Sequence, residues 1–291
     1  MAETVEFKKR RDFGQVINDT FTFIRQNIKP LIKTYFTFCG LFVLASMATL
    51  LLQQVKMVNV INTAGSINRT RGMGLYGIEY FLSLTFSFAS YASMTVAILS
   101  YIAIYVQKGN QTPKLEETWI YFKHYFFRVF GSSFLLMILL VVGFVLCLVP
   151  GFYLFPFIAM TFPIMVIENS NLAYSFTRSF NIIKNNFWVT FGTLIIIWII
   201  IYACSTLIVL PTTLFSMLGM FSHQGPQMSL TLTMITTILQ SLCQVFTIVP
   251  IITVSLMYFS LVEEKESIGL MERISNFGNT EKPTDTRPEE Y

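Results

Sequence analysis

Six apolar stretches, each near or above the length of a membrane-spanning helix, most restrict how this chain folds. About 20 consecutive apolar residues cross the hydrocarbon core of a bilayer as an α-helix. The stretches occupy roughly residues 31–52, 80–106, 131–167 (two stretches), 187–210 and 228–262. Only 12% of the residues are charged, against about 25% in soluble domains. The sequence therefore predicts an all-α, polytopic membrane protein with six transmembrane helices.

Residues 131–167 form one apolar interval that is too long for a single crossing. Pro150-Gly151 is a strong turn signal at its midpoint, and two helices joined by a tight turn fit this pattern. A re-entrant hairpin is the alternative, and the sequence leaves it open. Residues 228–262 also exceed what a bilayer requires, so we expect this stretch to tilt, kink or protrude.

Lysine and arginine are concentrated in alternate segments between the apolar stretches. The basic segments lie before the first stretch, between the second and third, and between the fourth and fifth. The turn at Pro150 and residues 211–227 carry no base, and only three bases before the second stretch run against the trend. Since basic loops stay in the cytoplasm, both termini are predicted to be cytoplasmic. The polar start predicts an uncleaved anchor rather than a cleaved signal peptide.

Three parts of the chain follow from this topology. Residues 1–30 are expected to form a cytoplasmic N-terminal segment with an amphipathic helix, and residues 31–262 the membrane domain. Residues 263–291 are expected to form a cytoplasmic tail. Ile268, Met271 and Ile274 recur at helical spacing and predict a short helix there, whereas the polar remainder is typical of disorder.

Three basic segments share one pattern: a hydroxyl residue, an aromatic residue, three further residues and a base. The copies are Thr20-Phe21 with Arg25, Thr118-Trp119 with Lys123, and Ser179-Phe180 with Lys184. Each copy precedes an apolar hairpin. The chain is therefore predicted to form three hairpins, each preceded by an interfacial amphipathic helix.

The third copy shows the amphipathic pattern best. Its apolar positions recur at helical spacing: Leu172, Phe176, Ile183 and Phe187. Asn171 is placed to cap this helix, which would lie in the membrane interface with its bases reaching lipid phosphates. A helix that only covers the cytoplasmic end of the bundle is the plainer alternative. The candidate lipid- or partner-contacting bases are Arg25, Lys123, Arg178 and Lys184.

Polar uncharged residues are the remaining candidates inside the membrane. The second stretch contains six serines and threonines between Ser83 and Thr95, and the last contains Gln240 and Gln244 one helical turn apart. One interpretation is hydrogen bonding between helices. The other is a polar seam that lines a substrate path or docks another membrane protein, and it makes Gln240 and Gln244 candidate contact residues.

Residues that usually carry catalysis are missing from the predicted spans. An ionisable residue inside a span is a functional candidate by default, and these spans contain essentially none. His124 and His223 are predicted on opposite sides of the membrane, so they cannot share a metal. No phosphate-binding loop, GxSxG or HExxH motif occurs. We therefore expect no catalytic residues, no cofactor and no metal.

Residues 150–192 resemble a bacterial membrane-domain superfamily. The resemblance rests on Pro150-Gly151, Pro163 before Ile167-Glu168, Ser175, Ser179-Phe180, Lys184 and Phe187-Trp188. This superfamily includes the membrane domain attached to some glycerophosphoryl diester phosphodiesterases, and stand-alone inner-membrane proteins of unknown function. The resemblance implies a bacterial cytoplasmic membrane protein. The soluble phosphodiesterase barrel is missing from this chain, so no phosphodiesterase activity is implied.

Taken together, these patterns predict a non-enzymatic integral membrane protein that binds lipids or partner membrane proteins. The alternative is a transporter or channel for a small or lipidic substrate. An enzyme acting on lipids has little support. The expected partners are the lipid bilayer and other membrane proteins, with no nucleic acid.

The topology can be tested with alkaline phosphatase, which is active only outside the cytoplasm. A fusion after Asn110 is expected to be inactive and a fusion after Ser222 active, because only Asn110 lies in a basic segment. Fluorescent-protein fusions at the same positions control for expression and should give the opposite pattern. Phosphatase activity at Asn110 would contradict the predicted orientation.

Overall fold

The computed structural model describes residues 5–63, 77–146, 148–221, 230–267 and residue 271. The helices are α1 (Phe13–Thr63), α2 (Ile78–Gln107), α3 (Leu115–Leu146), α4 (Leu148–Ile167), α5 (Leu172–Ile183), α6 (Phe187–Phe221), α7 (Leu230–Cys243) and α8 (Ile248–Glu266). The 3-10 turn Gln244–Thr247 joins α7 to α8. Six segments of these helices are long and apolar enough to cross a membrane. The all-α, six-span architecture is therefore confirmed.

Helices α3 and α4 form a hairpin, and both residues of the predicted turn, Pro150 and Gly151, lie in α4. Pro150 is in the first turn of α4, where a missing backbone N–H costs no hydrogen bond. At Gly151 an added Cβ would lie 2.5 Å from the Phe144 ring, so only glycine permits this close approach.

The other end of this hairpin shows that its two helices lie side by side. The Arg128 guanidinium donates to the Asn169 side-chain oxygen at 3.3 Å, beyond the end of α4. The 20 residues of α4 extend about 30 Å, which is the thickness of the hydrocarbon core. This length supports a full crossing over a re-entrant hairpin.

The last apolar stretch is kinked, which is one of the three outcomes (a tilt, a kink or a protrusion) expected from its length. α7 ends at Cys243, and the backbone passes through the 3-10 turn before α8 begins. Pro250 has no N–H to bond the carbonyl four residues earlier, so a regular α-helix cannot continue through this point.

Helices α2 and α8 form the centre of the bundle. Nearly every residue from Ala89 to Tyr105 is buried, and so is nearly every residue from Ile248 to Leu261. The buried part of α2 is rich in alanine and serine, which let neighbouring helices approach closely. Ser93 donates to the Phe38 carbonyl of α1 at 3.1 Å. The hydrogen-bonding interpretation of the second-span hydroxyls is therefore confirmed at Ser93.

The segment before α1 folds back onto the end of α8. The Phe7 ring packs edge-on against Phe23, Tyr105 and Phe259, with centroids 5.1, 5.8 and 5.4 Å away. The Arg11 backbone N–H donates to Ser260 Oγ at 2.8 Å. These contacts place both ends of the membrane domain on one side of the bundle, as an even number of spans requires.

Arg11 holds this segment in place with a buried guanidinium. Its side chain is 1% exposed and donates to Asp19 at 2.8 Å. It also donates to the carbonyls of Phe7 at 2.8 Å, Lys9 at 3.0 Å and Glu6. One charged side chain thus satisfies three backbone acceptors of a segment without regular secondary structure.

Ion pairs within the described residues lie at the two ends of the bundle. We call the end that holds Arg11, Glu168, Arg178 and Glu264 the terminal end. There Arg178 pairs with Glu168 at 3.4 Å and with Glu266. At the opposite end Lys56 pairs with Glu79. This distribution agrees with predicted spans that contain no ionisable residues in their central parts.

In all three copies of the sequence repeat the hydroxyl residue is buried and the base is exposed, but the helices that contain the copies differ. The hydroxyl residues Thr20, Thr118 and Ser179 are at most 1% exposed, whereas the bases Arg25, Lys123 and Lys184 are exposed. The third copy, α5, is a separate helix. In the second copy α3 runs without interruption. In the first copy the non-helical backbone of Asn27 divides α1 into two helices that meet at a kink. Pro30 accounts for the kink, because its ring excludes a regular helix there.

The described residues include only the start of the predicted cytoplasmic tail and residue 271. α8 continues to Glu266, and Ser267 ends it with a left-handed backbone (φ 50°). Residues 268–270 and 272–291, which were predicted to form a short helix and a disordered end, lie outside the described residues.

Replacing Arg11 with alanine is expected to destabilise the protein by about 3 kcal/mol, because it leaves Asp19 and three carbonyls without their buried partner. Arg10→Ala is the matched control, since Arg10 is 71% exposed and contacts Glu264 at 3.4 Å; its effect should stay below about 1 kcal/mol. Thermal unfolding in mild detergent measures both. Equal melting temperatures for the two variants would contradict the role of Arg11.

Candidate functional site

A polar cavity of about 610 Å³ lies between α1, α2, α6 and α7, and residues of the 3-10 turn also line it. Its polar lining consists of Ser46, Gln54, Ser87, Ser205, Thr206, Thr213, Thr237, Gln240, Ser241, Gln244 and Thr247. Ser87 lies near the start of α2 and Gln54 near the end of α1. The polar cavity is therefore in the half of the bundle away from the terminal end.

An apolar cavity of about 310 Å³ lies next to the polar cavity, at the middle of the bundle. Residues from α2, α3, α4, α6 and α8 line it, and most of them are leucine, isoleucine, valine or phenylalanine. Its polar contributions come from Tyr91, Thr95 and Ser133. The Thr95 and Ser133 hydroxyls donate to the carbonyls of Tyr91 at 2.9 Å and Val129 at 2.7 Å. This cavity therefore presents an almost wholly apolar wall.

Trp198 lines both cavities. Gln244 and Thr247 line the polar cavity, and Pro250 and Ile251, which come shortly after them in the chain, line the apolar cavity. The kink between α7 and α8 thus marks the boundary between polar and apolar surroundings. A ligand with a polar and an apolar part would meet matching walls on the two sides of Trp198.

Gln240 and Gln244 are the predicted site residues that the structure brings together. Both line the polar cavity, although Gln240 belongs to α7 and Gln244 to the 3-10 turn. Of the second-span hydroxyls, Ser87 joins them, whereas Ser93 bonds the Phe38 carbonyl and Ser83 bonds Gln53 at 3.0 Å. The second span therefore uses some hydroxyls for contacts between helices and one, Ser87, in the lining of the polar cavity.

The predicted bases are spread over the surface and form no common site. Arg25 and Lys123 are exposed, and neither lines one of these cavities. Partial burial of Arg178 opposes its charge, but the hydrogen bond to Glu266 and the nearby Glu168 outweigh burial and raise the pKa of the guanidinium. Arg178 therefore stays charged as a link between α4, α5 and α8. Lys184 lines a separate groove.

Several cavity residues could not be found from the sequence. Gln54 lies at the end of the first stretch, where a polar residue is ordinary. Ser205 and Thr206 are two small residues in an apolar span. Trp198 is one aromatic residue among many. One sequence signal could have indicated three lining residues: Gln54, Gln240 and Gln244 are carboxamides that lie within the predicted spans or next to them.

The residues that line the two cavities are uncharged. Neither cavity is lined by a charged residue of the described chain. Across the described residues, no group of three His, Cys, Asp or Glu side chains is placed to hold a metal ion. Carboxamides and hydroxyls both donate and accept hydrogen bonds, so the polar cavity suits an uncharged polar group.

Comparisons of the chain with protein-family models, with curated proteins and with solved structures each found no match. The resemblance at residues 150–192 therefore stays a prediction. The function must be argued from the cavities themselves.

The polar cavity is expected to admit water, because its carboxamides need hydrogen-bonding partners inside the membrane. In a variant without native cysteines, Gln244→Cys should react with a hydrophilic, membrane-impermeant maleimide added opposite the terminal end. Ser90→Cys, which replaces a side chain in α2 that is 1% exposed, is the control and should remain unlabelled. An unreactive Gln244→Cys in folded protein would contradict a hydrated cavity.

Proposed function

We propose that this chain is a non-enzymatic integral membrane protein that binds a lipid-like amphiphile within its helix bundle. The head group would occupy the polar cavity and an apolar chain the cavity on the other side of Trp198. The observation that carries this proposal is that two neighbouring cavities share Trp198, one lined by many carboxamides and hydroxyls and the other almost wholly apolar. It favours a lipid over a partner protein, since a partner helix would dock on the outer surface.

The size of the cavities supports a small ligand. Volumes of about 610 and 310 Å³ are in the range of ligand pockets, roughly 300–1,000 Å³. Such pockets are mostly apolar, with a few polar groups that fix the orientation of the ligand. Here Gln54, Gln240 and Gln244 are the groups with the longest reach into the polar part.

The uncharged lining of the polar cavity restricts the charge that a bound head group can carry. A phosphate or carboxylate would enter the membrane interior without a basic partner among the lining residues, at a cost of several kcal/mol. A hydroxyl-bearing head group carries no such cost and pairs with carboxamides and hydroxyls. The proposed ligand is therefore an uncharged amphiphile with a hydroxylic head group, such as a monoacylglycerol.

The proposal includes the location of the protein. The basic segments support a cytoplasmic position for the terminal end, which holds both ends of the membrane domain. The features at residues 150–192 support a relationship to bacterial inner-membrane proteins that contain the same membrane domain without a catalytic barrel. In this location the head-group cavity would lie in the outer half of the cytoplasmic membrane.

A transporter is the second candidate, and the position of the polar cavity favours it. The cavity occupies one half of the bundle, while Phe7, Phe23, Tyr105 and Phe259 close the terminal end. A transporter with access from one side has this arrangement. Glycerol is the head group of a monoacylglycerol. Its faster uptake into proteoliposomes than into protein-free liposomes would support transport over binding alone.

Removing both carboxamides should weaken binding of 1-monooleoylglycerol to purified protein. Each lost hydrogen bond contributes about 1 kcal/mol, so Gln240→Leu with Gln244→Leu is expected to raise the Kd more than tenfold in an equilibrium binding assay. Gln107→Leu changes a glutamine of α2 outside both cavities, and it should bind like the wild type. The proposal fails if the wild type shows no saturable binding, or if all three proteins bind equally.

A further inference from the structure

A third concave surface lies on the side of the bundle at α4, α5 and α6. This groove of about 760 Å³ is lined mainly by aromatic rings, among them Tyr153, Phe157, Phe187 and Trp188, with Lys184 as the single base in its lining. None of these residues lines the polar or apolar cavity. We call it the aromatic groove, and the proposed function does not use it.

The walls of the aromatic groove are held in place by contacts between rings. Phe157 of α4 stacks on Phe180 of α5 with centroids 3.9 Å apart. Tyr153 and Phe187 join α4 to α6 at 5.0 Å, and Phe187 stacks on Phe191 at 5.8 Å. Three helices therefore share one aromatic surface that is formed before any ligand arrives.

Lys184 has no acidic partner in the described part of the chain. It is exposed, while the neighbouring acids are engaged by other residues. Glu168 accepts from Tyr258 at 2.8 Å and from Arg178 at 3.4 Å. Glu264 accepts from Asn186 at 3.0 Å, and Glu266 pairs with Arg178. The groove thus carries a positive charge that forms no ion pair with an acid among the described residues.

The aromatic rings and the Lys184 ammonium together suit a lipid with a negatively charged head group. Tyrosine and tryptophan prefer the boundary between head groups and acyl chains, and Trp188 is 78% exposed there. A lysine at such a boundary extends towards phosphates while its methylenes stay on apolar surface. Basic pockets between membrane helices attract anionic head groups.

We propose that the aromatic groove binds one anionic phospholipid of the surrounding bilayer. The Lys184 ammonium contacts the phosphate, and an acyl chain lies against the rings of Phe157, Phe180 and Phe187. This lipid differs in charge and in place from the neutral amphiphile of the inner cavities. A soluble anion would use Lys184 alone, and an exposed charge pair of that kind contributes little.

Native mass spectrometry of the full chain, with equal amounts of phosphatidylglycerol and phosphatidylcholine of the same acyl chains, tests this proposal. The wild type should retain phosphatidylglycerol preferentially. Lys184→Gln should lower that retention about fivefold, the effect of one base near an anionic surface, and Lys184→Arg should preserve it. Lys123→Gln is the matched control, because Lys123 holds the same position in the second repeat but does not line the groove.

Several results would overturn the proposal. They are equal retention of the two lipids by the wild type, equal loss in Lys184→Gln and Lys123→Gln, and displacement of the lipid by soluble glycerol phosphate. Trp188→Ala should lower retention of both lipids in folded protein, because it removes the apolar wall. The double variant Gln240→Leu with Gln244→Leu should retain phosphatidylglycerol normally, so failure of this site is distinguishable from failure of the neutral-amphiphile site.

Discussion

The high cost of placing a charge in the hydrocarbon core is the constraint on which the rest of this structure depends. A charged side chain at the bilayer centre costs at least a few kcal/mol. The charges are accordingly placed at the ends of the bundle, where Arg11 fixes the N-terminal segment and Arg178 links three helices. Polarity inside is left to serine, threonine and glutamine. The proposed interior site is therefore neutral, and the proposed site for an anionic lipid lies at the surface.

Properties that depend on nearby residues could be predicted from the sequence. The six spans follow from runs of apolar residues. The Asn171 cap is also local, and its side chain accepts from the Tyr174 N–H at 2.9 Å. The turn of the α3–α4 hairpin was predicted at Pro150-Gly151, but both residues lie in α4, because proline is tolerated in the first turn of a helix.

Features that depend on distant residues could not be predicted. Arg11 meets Ser260 across 249 residues, and no pattern in either segment indicates the other. The cavities arise where helices fail to pack closely, so Trp198 and Gln54 become lining residues only after α1, α6 and α7 are arranged. Gln240 and Gln244 were the exceptions, because a carboxamide in an apolar span needs a partner wherever it lies. The repeat predicted an amphipathic helix before each hairpin; α5 is such a separate helix, Asn27 divides the first copy from the rest of α1, and α3 continues without interruption through the second.

The most direct test of the paired cavities as one amphiphile site is an electron cryomicroscopy structure in nanodiscs that contain monoacylglycerol. The account predicts continuous density that passes Trp198, with a compact end beside Gln240 and Gln244 and a narrow chain between Leu136, Phe162 and Val254. Empty cavities at saturating ligand, or density whose compact end lies in the apolar cavity, would contradict it.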